Sequence, residues 1–321
     1  MTRMRRVRRF FAGFFITLLA FAVSGTLYQT FADWRDLVNT PPPGRMVDIG
    51  GHRLHLWCKG IGTPTVVMDN GLGGTSFGWN FVIDGVAMFT QACAYDRAGQ
   101  GYSDEGPNPQ TSLQIAQDLH VLLNRANKRE PLVLVGASFG GFTVRLFATE
   151  SSRHTVGVVL VDASHENQGG GMPPFADLVP IAGTLGGLRM LGITLGPDPD
   201  AEPPDVREYQ RATSYRASRF RSMYSEARRL SESAAQVRER RRELAVPLLV
   251  LTAGRNRDPR WLALQQDQAT LSTRGCQTVV EGAGHIIARD NPAAVIEGIR
   301  ATIEASRWPD GTPCDVTRTH P

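Results

Sequence analysis

One serine in this sequence stands where its chemistry is easy to read. In Leu132–Gly141, LVLVGASFGG, the residues Gly136, Ser138 and Gly140 form a G-x-S-x-G run between an apolar strand pattern and a helical pattern starting at Phe139. A strand-to-helix turn tight enough to present a serine hydroxyl crowds its own backbone, and small neighbours relieve that crowding. The start of the following helix offers backbone N–H groups to developing negative charge. A serine hydroxyl is a weak nucleophile until a base takes its proton. Among the seven histidines, His285 alone sits in a Gly-rich loop, Gly282–His285, after a terminal strand pattern, and it is the candidate base. His52 and His55 fall on an early hairpin, His120 on a helix and His320 in the tail; His165, after a strand end, is a secondary pocket candidate. The bland alternative is a structural serine in a Gly-rich turn. The strand before it and the helix after it favour the chemical reading.

These residues need a frame to bring them together. Residues 45–49 and 53–58 flank Gly50-Gly51, a hairpin signal. Thr65–Met68, Ala92–Tyr95, Leu132–Val135, Val156–Val161, Leu248–Leu251 and Thr278–Val280 are short apolar strand candidates. Ser112–Leu123 carries Leu113, Ala116, Leu119, Leu122 and Leu123 at helical spacing, and a last helix falls near Pro292–Glu304. Apolar runs alternating with helical crossovers imply an α/β fold, a mostly parallel sheet with helices on both faces. The long insert before Leu248 reads as a helical cap over the sheet ends. Its first half is rich in Gly, Pro and apolar residues; its second, 205–243, holds 11 Arg against 6 Asp and Glu, a pattern expected of exposed helices.

The motifs, in this order, resemble the α/β-hydrolase fold family over about Arg45 to Ser306. Asn70-Gly71-Leu72-Gly73-Gly74 follows the third strand, where that family places its oxyanion loop. Asp96–Ser103 resembles its D-x-x-G-x-G-x-S segment, and Gly282–His285 its histidine loop. The resemblance implies an eight-stranded sheet with a cap insert, Ser138 as nucleophile and His285 as base. It implies Gly71, Gly136 and Gly140 as motif glycines, and the backbone N–H groups of Leu72 and Phe139 as oxyanion donors. Asn70 replaces the histidine common before that glycine; a backbone donor survives the change. Asp96, Arg97 and Ser103 read as a structural turn. The acid is open between two positions. Asp258 follows the strand that most often carries it, but in a longer loop crowded by Arg255 and Arg257. Asp162 ends the strand Val156–Val161, where a branch of the family carries it, and is preferred, with Asp258 the alternative. The implied strand order sets the second strand beside the fourth, pairing Cys58 with Cys93. Cys276 and Cys314 are expected to pair by the tail folding back. Four buried thiols are the alternative.

Relatives that open epoxides or remove halide attack with Asp, and here the position is Ser138. No His-Glu-x-x-His, no Cys-x-x-Cys and no dinucleotide fingerprint after the first strand is present, so no metal and no cofactor is expected. The reading is a serine hydrolase acting on a small-molecule ester, a carboxylesterase for apolar esters. The apolar supply is in the cap: Val179, Ile181, Leu185, Leu188, Met190, Leu191, Ile193 and Leu195. The elbow also resembles proline iminopeptidases, which need acidic cap groups to hold an ammonium, and the basic 205–243 stretch opposes that alternative. A third reading, of another class, is an inactive membrane-tethered binding module.

With 41% hydrophobic and 21% charged residues in 321, the chain supports a globular core and is not generally disordered. The net charge of +4 is local, because Arg3, Arg5, Arg6, Arg8 and Arg9 supply it and the rest holds 30 basic against 31 acidic residues. Nucleic acid is therefore not expected as a partner. Phe10–Tyr28 carries no formal charge, and a bilayer core of ~30 Å needs about 20 helical residues. The arginines before it, with Asp33 and Asp36 after it, predict a single-pass membrane protein with its N-terminus inside and an extracytoplasmic catalytic domain, where disulfides persist. A signal peptide cleaved near Ala22 or Ser24, giving a secreted enzyme, is the alternative. The expected division is an anchor at 1–30, a Pro-rich linker at 31–44, a hydrolase domain at 45–306 with its cap at about 164–246, and a tail at 307–321.

Overall fold

The computed structural model describes residues 2–107, 110–128, 131–150, 154–196, 198–256 and 258–314; His320 and Arg257 lie outside them. Eight strands form one sheet: β1 (Arg45–Asp48), β2 (Arg53–Lys59), β3 (Thr65–Asp69), β4 (Ala92–Tyr95), β5 (Leu132–Ala137), β6 (Thr155–Val161), β7 (Leu248–Ala253) and β8 (Gly275–Val280). Their order is β1-β2-β4-β3-β5-β6-β7-β8. β1 and β2 pair antiparallel, as do β2 and β4, and every other pairing is parallel. All the parallel strands therefore end on one side, and the residue after each end is available to a common site.

The described residues form twelve α-helices besides the sheet: α1 (Thr2–Asn39), α2 (Asn80–Ala87), α3 (Ser112–Arg125), α4 (Gly140–Glu150), α5 (Leu178–Thr184), α6 (Gly187–Met190), α7 (Pro204–Ser214), α8 (Ala217–Arg228), α9 (Leu230–Glu239), α10 (Pro259–Ala269), α11 (Ile287–Asp290) and α12 (Pro292–Ala305). Strand periodicity divides the core in two. Leu132 and Leu134 of β5 pack with Leu119 of α3 and Phe142 of α4; Val133 and Val135 pack with Val82 of α2 and Val295 of α12. Both faces of β5 are covered, which is why it reads as an unbroken apolar run.

The sheet explains one disulfide directly. Cys58 and Cys93 face each other across the antiparallel β2–β4 pair, with Cα atoms 4.1 Å apart. The second, Cys276–Cys314, ties the segment after α12 to β8.

Two sequence expectations need correction. The proposed 31–44 linker is helical as far as Asn39, because no proline occurs before Pro41 and one stripe of α1 docks on the cap. Gln29 and Ala32 are buried there. Arg189 of α6 binds Asp33 at 2.7 Å and Asp36 at 2.5 Å, and Ala217 N donates to Asp33 at 3.1 Å. Only residues 40–44 connect, and they are pinned: Tyr102 Oη donates to Thr40 O at 2.8 Å, and His55 Nε2 meets Pro43 O. The second correction concerns 205–243. These helices are not simply exposed: α8 turns Ser218, Arg219, Ser222 and Glu226 inward beside Phe220, and Glu226 meets a polar loop at Gly73 N. The insert's last helix, α9, lies on the flank of the core, where Ser233 Oγ accepts from Ser112 N at 3.0 Å.

Candidate active site

Ser138 occupies the turn between β5 and α4 with φ at 48°, a left-handed conformation that costs a side-chain-bearing residue energy and persists only when its surroundings hold it. The surroundings do so. Ser138 N donates to Val161 O at 3.1 Å, and Ser138 O accepts from Ser164 N at 2.9 Å and Gly141 N at 3.0 Å. The flanking glycines are steric necessities: a Cβ at Gly136 would stand 2.7 Å from Gly140 O, and one at Gly140 would stand 2.6 Å from Asp69 O.

Three strand ends meet at this turn. The loop after β8 brings His285, whose Nε2 lies 3.0 Å from Ser138 Oγ. The other ring nitrogen, Nδ1, lies 2.6 Å from Asp162 Oδ2, immediately after β6. With a carboxylate at Nδ1, that nitrogen carries the proton and Nε2 is left to accept one from serine. Asp162 is only 2% exposed, and its other oxygen accepts from Ala253 N at 3.0 Å and Trp261 Nε1 at 2.9 Å, so both carboxylate oxygens are engaged and the side chain is held in place. Asp258 does something else. It is exposed and caps α10, accepting from Arg260 N at 2.9 Å. The loop that made it a candidate instead delivers Trp261 to Asp162, a contact with no signature in the sequence.

Residues 66–297 match the sequence pattern of the alpha/beta hydrolase family. The chain belongs to that family. Among solved structures it is similar to the Cfl2 protein from Burkholderia cenocepacia, at 22% identity and a TM-score of 0.63 over 80% of this chain and 94% of that one. A thermophilic esterase from Thermogutta terrifontis aligns at 19% identity and a TM-score of 0.62, over 83% of this chain and 100% of its own. The epoxide hydrolase CorEH aligns at 20% and 0.60, over 81% and 98%. These are likenesses of fold. Among curated proteins, one of Hormonema carpetanum named "Probable transporter efuK" is 33% identical over 38% of this chain and 18% of its own length. An uncharacterized protein of Bacillus subtilis, YqjL, is 32% identical over 32% of this chain and 41% of its own. The chain thus spans less than half the length of either relative.

In this alpha/beta hydrolase the loop Asn70–Gly74 lies over the serine, since a Cβ on Gly71 would be 3.3 Å from Ser138 Cβ. Asn70 braces the loop from within: its Oδ1 accepts from Gly71 N at 2.7 Å, and its Nδ2 donates to Thr75 O at 2.9 Å. With Gly71 N occupied, Leu72 is the next residue whose N–H is a candidate donor to a substrate oxygen. Leu72 lines the same cavity as Ser138. Phe139, the other candidate, directly follows Ser138 and is buried.

The hydrolase also holds this loop from below and from above. Arg97 is buried; it donates to Asp69 Oδ1 and Asn70 O, both at 2.7 Å, and to Gly71 O at 2.6 Å. Glu226 of α8 accepts from Arg97 Nε at 2.9 Å and from Gly73 N at 3.0 Å. Burial works against the Arg97 charge, but Glu226 and Asp69 together raise its pKa above the ordinary value. Burial pushes the Asp69 carboxyl up, against the pull of Arg97. Arg97 is thus more than a turn residue: it fastens the loop's carbonyls. Glu226, within an Arg-rich segment, carries no local signal of its role.

The turn reading holds for Asp96 and Ser103. Asp96 accepts from Ser76 N at 2.6 Å and Tyr102 N at 2.9 Å, and lies 2.8 Å from His55 Nδ1. His165 pairs with Asp267 at 2.8 Å and is not among the residues lining the Ser138 cavity. That cavity is about 330 Å³; Leu72, Leu195, Ile286 and Ala288 give it apolar walls, and Gln210 and Arg219 are polar points. Arg219 is nearly fully buried, and that burial lowers its pKa to about 10, so it remains a cation at neutral pH.

Proposed function

We propose that this hydrolase is a serine carboxylesterase for apolar esters. The observation that carries the reading is the relay Ser138 Oγ–His285 Nε2–His285 Nδ1–Asp162, at 3.0 and 2.6 Å, facing a cavity with largely apolar walls. In this mechanism His285 Nε2 takes the Ser138 proton as Oγ attacks the ester carbonyl. The electron pair of the C=O moves to oxygen, where the N–H groups of Leu72 and Phe139 receive it. Each such donor contributes about 3 kcal/mol by comparison with disrupted oxyanion holes. The carbonyl re-forms as the C–O bond to the alcohol breaks, and His285 gives the alcohol its proton. Water then repeats the sequence on the acyl-enzyme: His285 removes its proton, the acid leaves, and Ser138 is reprotonated. Asp162 stays ionised and holds the ring.

Arg219 argues against the iminopeptidase alternative. A substrate ammonium in this cavity would face a buried cation, and among the described residues the lining holds no Asp or Glu. We further infer that α1 spans a membrane through residues 10–28 with the N-terminus inside, because the helix is long and apolar enough to cross one and five arginines precede the uncharged run.

The test is kcat/KM across acetyl, butyryl and octanoyl esters and an aminoacyl amide. Each buried methylene is worth about 0.8 kcal/mol, roughly fourfold, so the two-methylene step from acetyl to butyryl is expected to raise kcat/KM by roughly fifteenfold. A preference for the amide with a free amino group would replace the esterase reading by the peptidase one.

A further inference from the structure

The cap carries an apolar face that nothing in the described chain covers. Outside α1, eight of the fourteen exposed large hydrophobic residues fall within 172–195. Phe175, Leu178, Ile181, Met190 and Leu191 are each more than half exposed. The segment has only two formal charges, both engaged: Asp177 accepts from the Tyr224 hydroxyl, and Arg189 is held by α1. Exposed apolar residues concentrated in one segment of this kind mark an interaction surface.

The position of the patch along α1 identifies what meets it. Residues 4–21 of α1 are exposed on every side, and the stripe that docks on the cap begins at Ala22. The uncharged run ends at Tyr28, so at 1.5 Å per residue roughly its last 10 Å lies alongside the cap. Two contacts fix the level: a Cβ on Gly25 would be 2.6 Å from Leu185 O, and one on Gly186 would be 2.9 Å from Tyr28 Cδ1. A bilayer that covers the uncharged run therefore reaches the α5–α6 tip. The polar network of Gln29, Asp33, Asp36 and Arg189 begins just beyond it. A depth of about 10 Å matches that of helices lying in the headgroup–acyl boundary. The apolar segment also runs into the site: Leu195 and Gly196, at its end, line the Ser138 cavity.

We propose that the apolar side chains of residues 172–195 seat in the leaflet of the membrane that α1 crosses, with Asp177 and Arg189 at headgroup level, so that the Ser138 cavity opens at the lipid surface and takes an ester dissolved in that leaflet. The proposal rests on the reading of α1 as a span, and the experiment separates the two. The four native cysteines are paired, so an added thiol can be labelled alone. Nitroxide labels are placed one at a time on Ile181→Cys, Leu191→Cys and Phe175→Cys in the full chain, reconstituted in phosphatidylcholine vesicles. Phe15→Cys reports on α1. Met88→Cys, exposed after α2 and just before β4, reports on the opposite end of the sheet. Relaxation by oxygen relative to a water-soluble nickel chelate is expected to be about fivefold higher at the three cap labels than at Met88, as burial at the acyl boundary requires. All five positions are exposed, so labelling removes no core contact. If Phe15 is lipid-like while the cap labels match Met88, this inference is overturned and the span stands. If Phe15 is also open to nickel, the span reading fails and this inference fails with it.

Discussion

The sheet and the cap contribute to the site in different ways. Ser138, Asp162 and His285 each follow the end of a strand, and backbone pairing fixes them: Ser138 N bonds Val161 O, and Asp162 N bonds Leu251 O. The cap contributes Glu226, Arg219 and Leu195 from helices and a loop, through side chains that touch the serine's surroundings. In the proposed mechanism, bond making falls to parts that cannot move without breaking the sheet, whereas loop position and access fall to parts added on top. Changes in the first group should act on the chemical step, and changes in the second on positioning and entry.

The largest effect tests the first group. Ser138→Ala is expected to lower kcat by roughly 10⁶, since a nucleophile removed alone costs about as much as losing all three groups. Retention of more than about 1% of activity would exceed what an oxyanion site alone supplies and would sink the assignment. Next comes the contrast between the two carboxylates. Asp162→Asn is expected to cost about 10⁴ in kcat through the wrong histidine tautomer; Asp258→Asn should stay within about twofold, because Asp258 is an exposed helix cap and asparagine caps a helix as well as aspartate does. Reversal of that ranking in two folded variants would move the acid to the β7 loop.

How much of this was legible in the sequence follows from what each part depends on. The elbow was, because strand, small residues and helix are contiguous and the constraint is local. His285 was, because its loop closes a terminal strand. The sequence leaves the acid open between Asp162 and Asp258, since the choice depends on which strand end the histidine loop reaches, and that reach is a matter of the parallel β6–β7–β8 stacking. Trp261 and Glu226 were not legible: each acts across more than ninety positions of chain, and neither sits in a patterned run. The end of α1 is not legible, because Pro41–Pro43 mark a break in the chain without showing that the helix-compatible residues before them continue the helix to Asn39. The docking stripe on α1 was invisible without the cap it meets.

The second group gives a smaller effect. Glu226→Gln leaves Arg97 paired with Asp69 but weakens the hold on Gly73 N. A fall in kcat of about tenfold, with KM nearly unchanged, is expected from sub-ångström displacement of the loop over Ser138. Unchanged kcat would place the loop's control wholly with Arg97 and the sheet.

The smallest effect lies away from the chemistry, where His55 and Asp96 form a buried pair. Burial disfavours the His55 cation, but the Asp96 carboxylate and the Pro43 carbonyl outweigh it and raise the pKa. Asp96, desolvated but bonded to His55, Ser76 N and Tyr102 N, is lowered. A raised histidine stabilises the fold below its unfolded value of about 6.5 and loses that contribution as pH rises through its folded value; a lowered aspartate stabilises above about 3.9 and loses it as pH falls through its own. The Tm difference between wild type and His55→Asn should therefore be widest between about pH 4 and 6.5 and shrink at higher pH. A difference constant from pH 5 to 9 would show that the ring acts only as a neutral bridge to Pro43.

The central claim is that Ser138 is the nucleophile. A fluorophosphonate probe reacts with an activated serine by forming an O–P bond and releasing fluoride. Peptide mapping of the labelled full chain is predicted to find one adduct, on the peptide containing Ser138, with parallel loss of esterase activity and no label on Ser138→Ala. Full inhibition with the adduct on another residue, or intact activity beside an unlabelled Ser138, would contradict it.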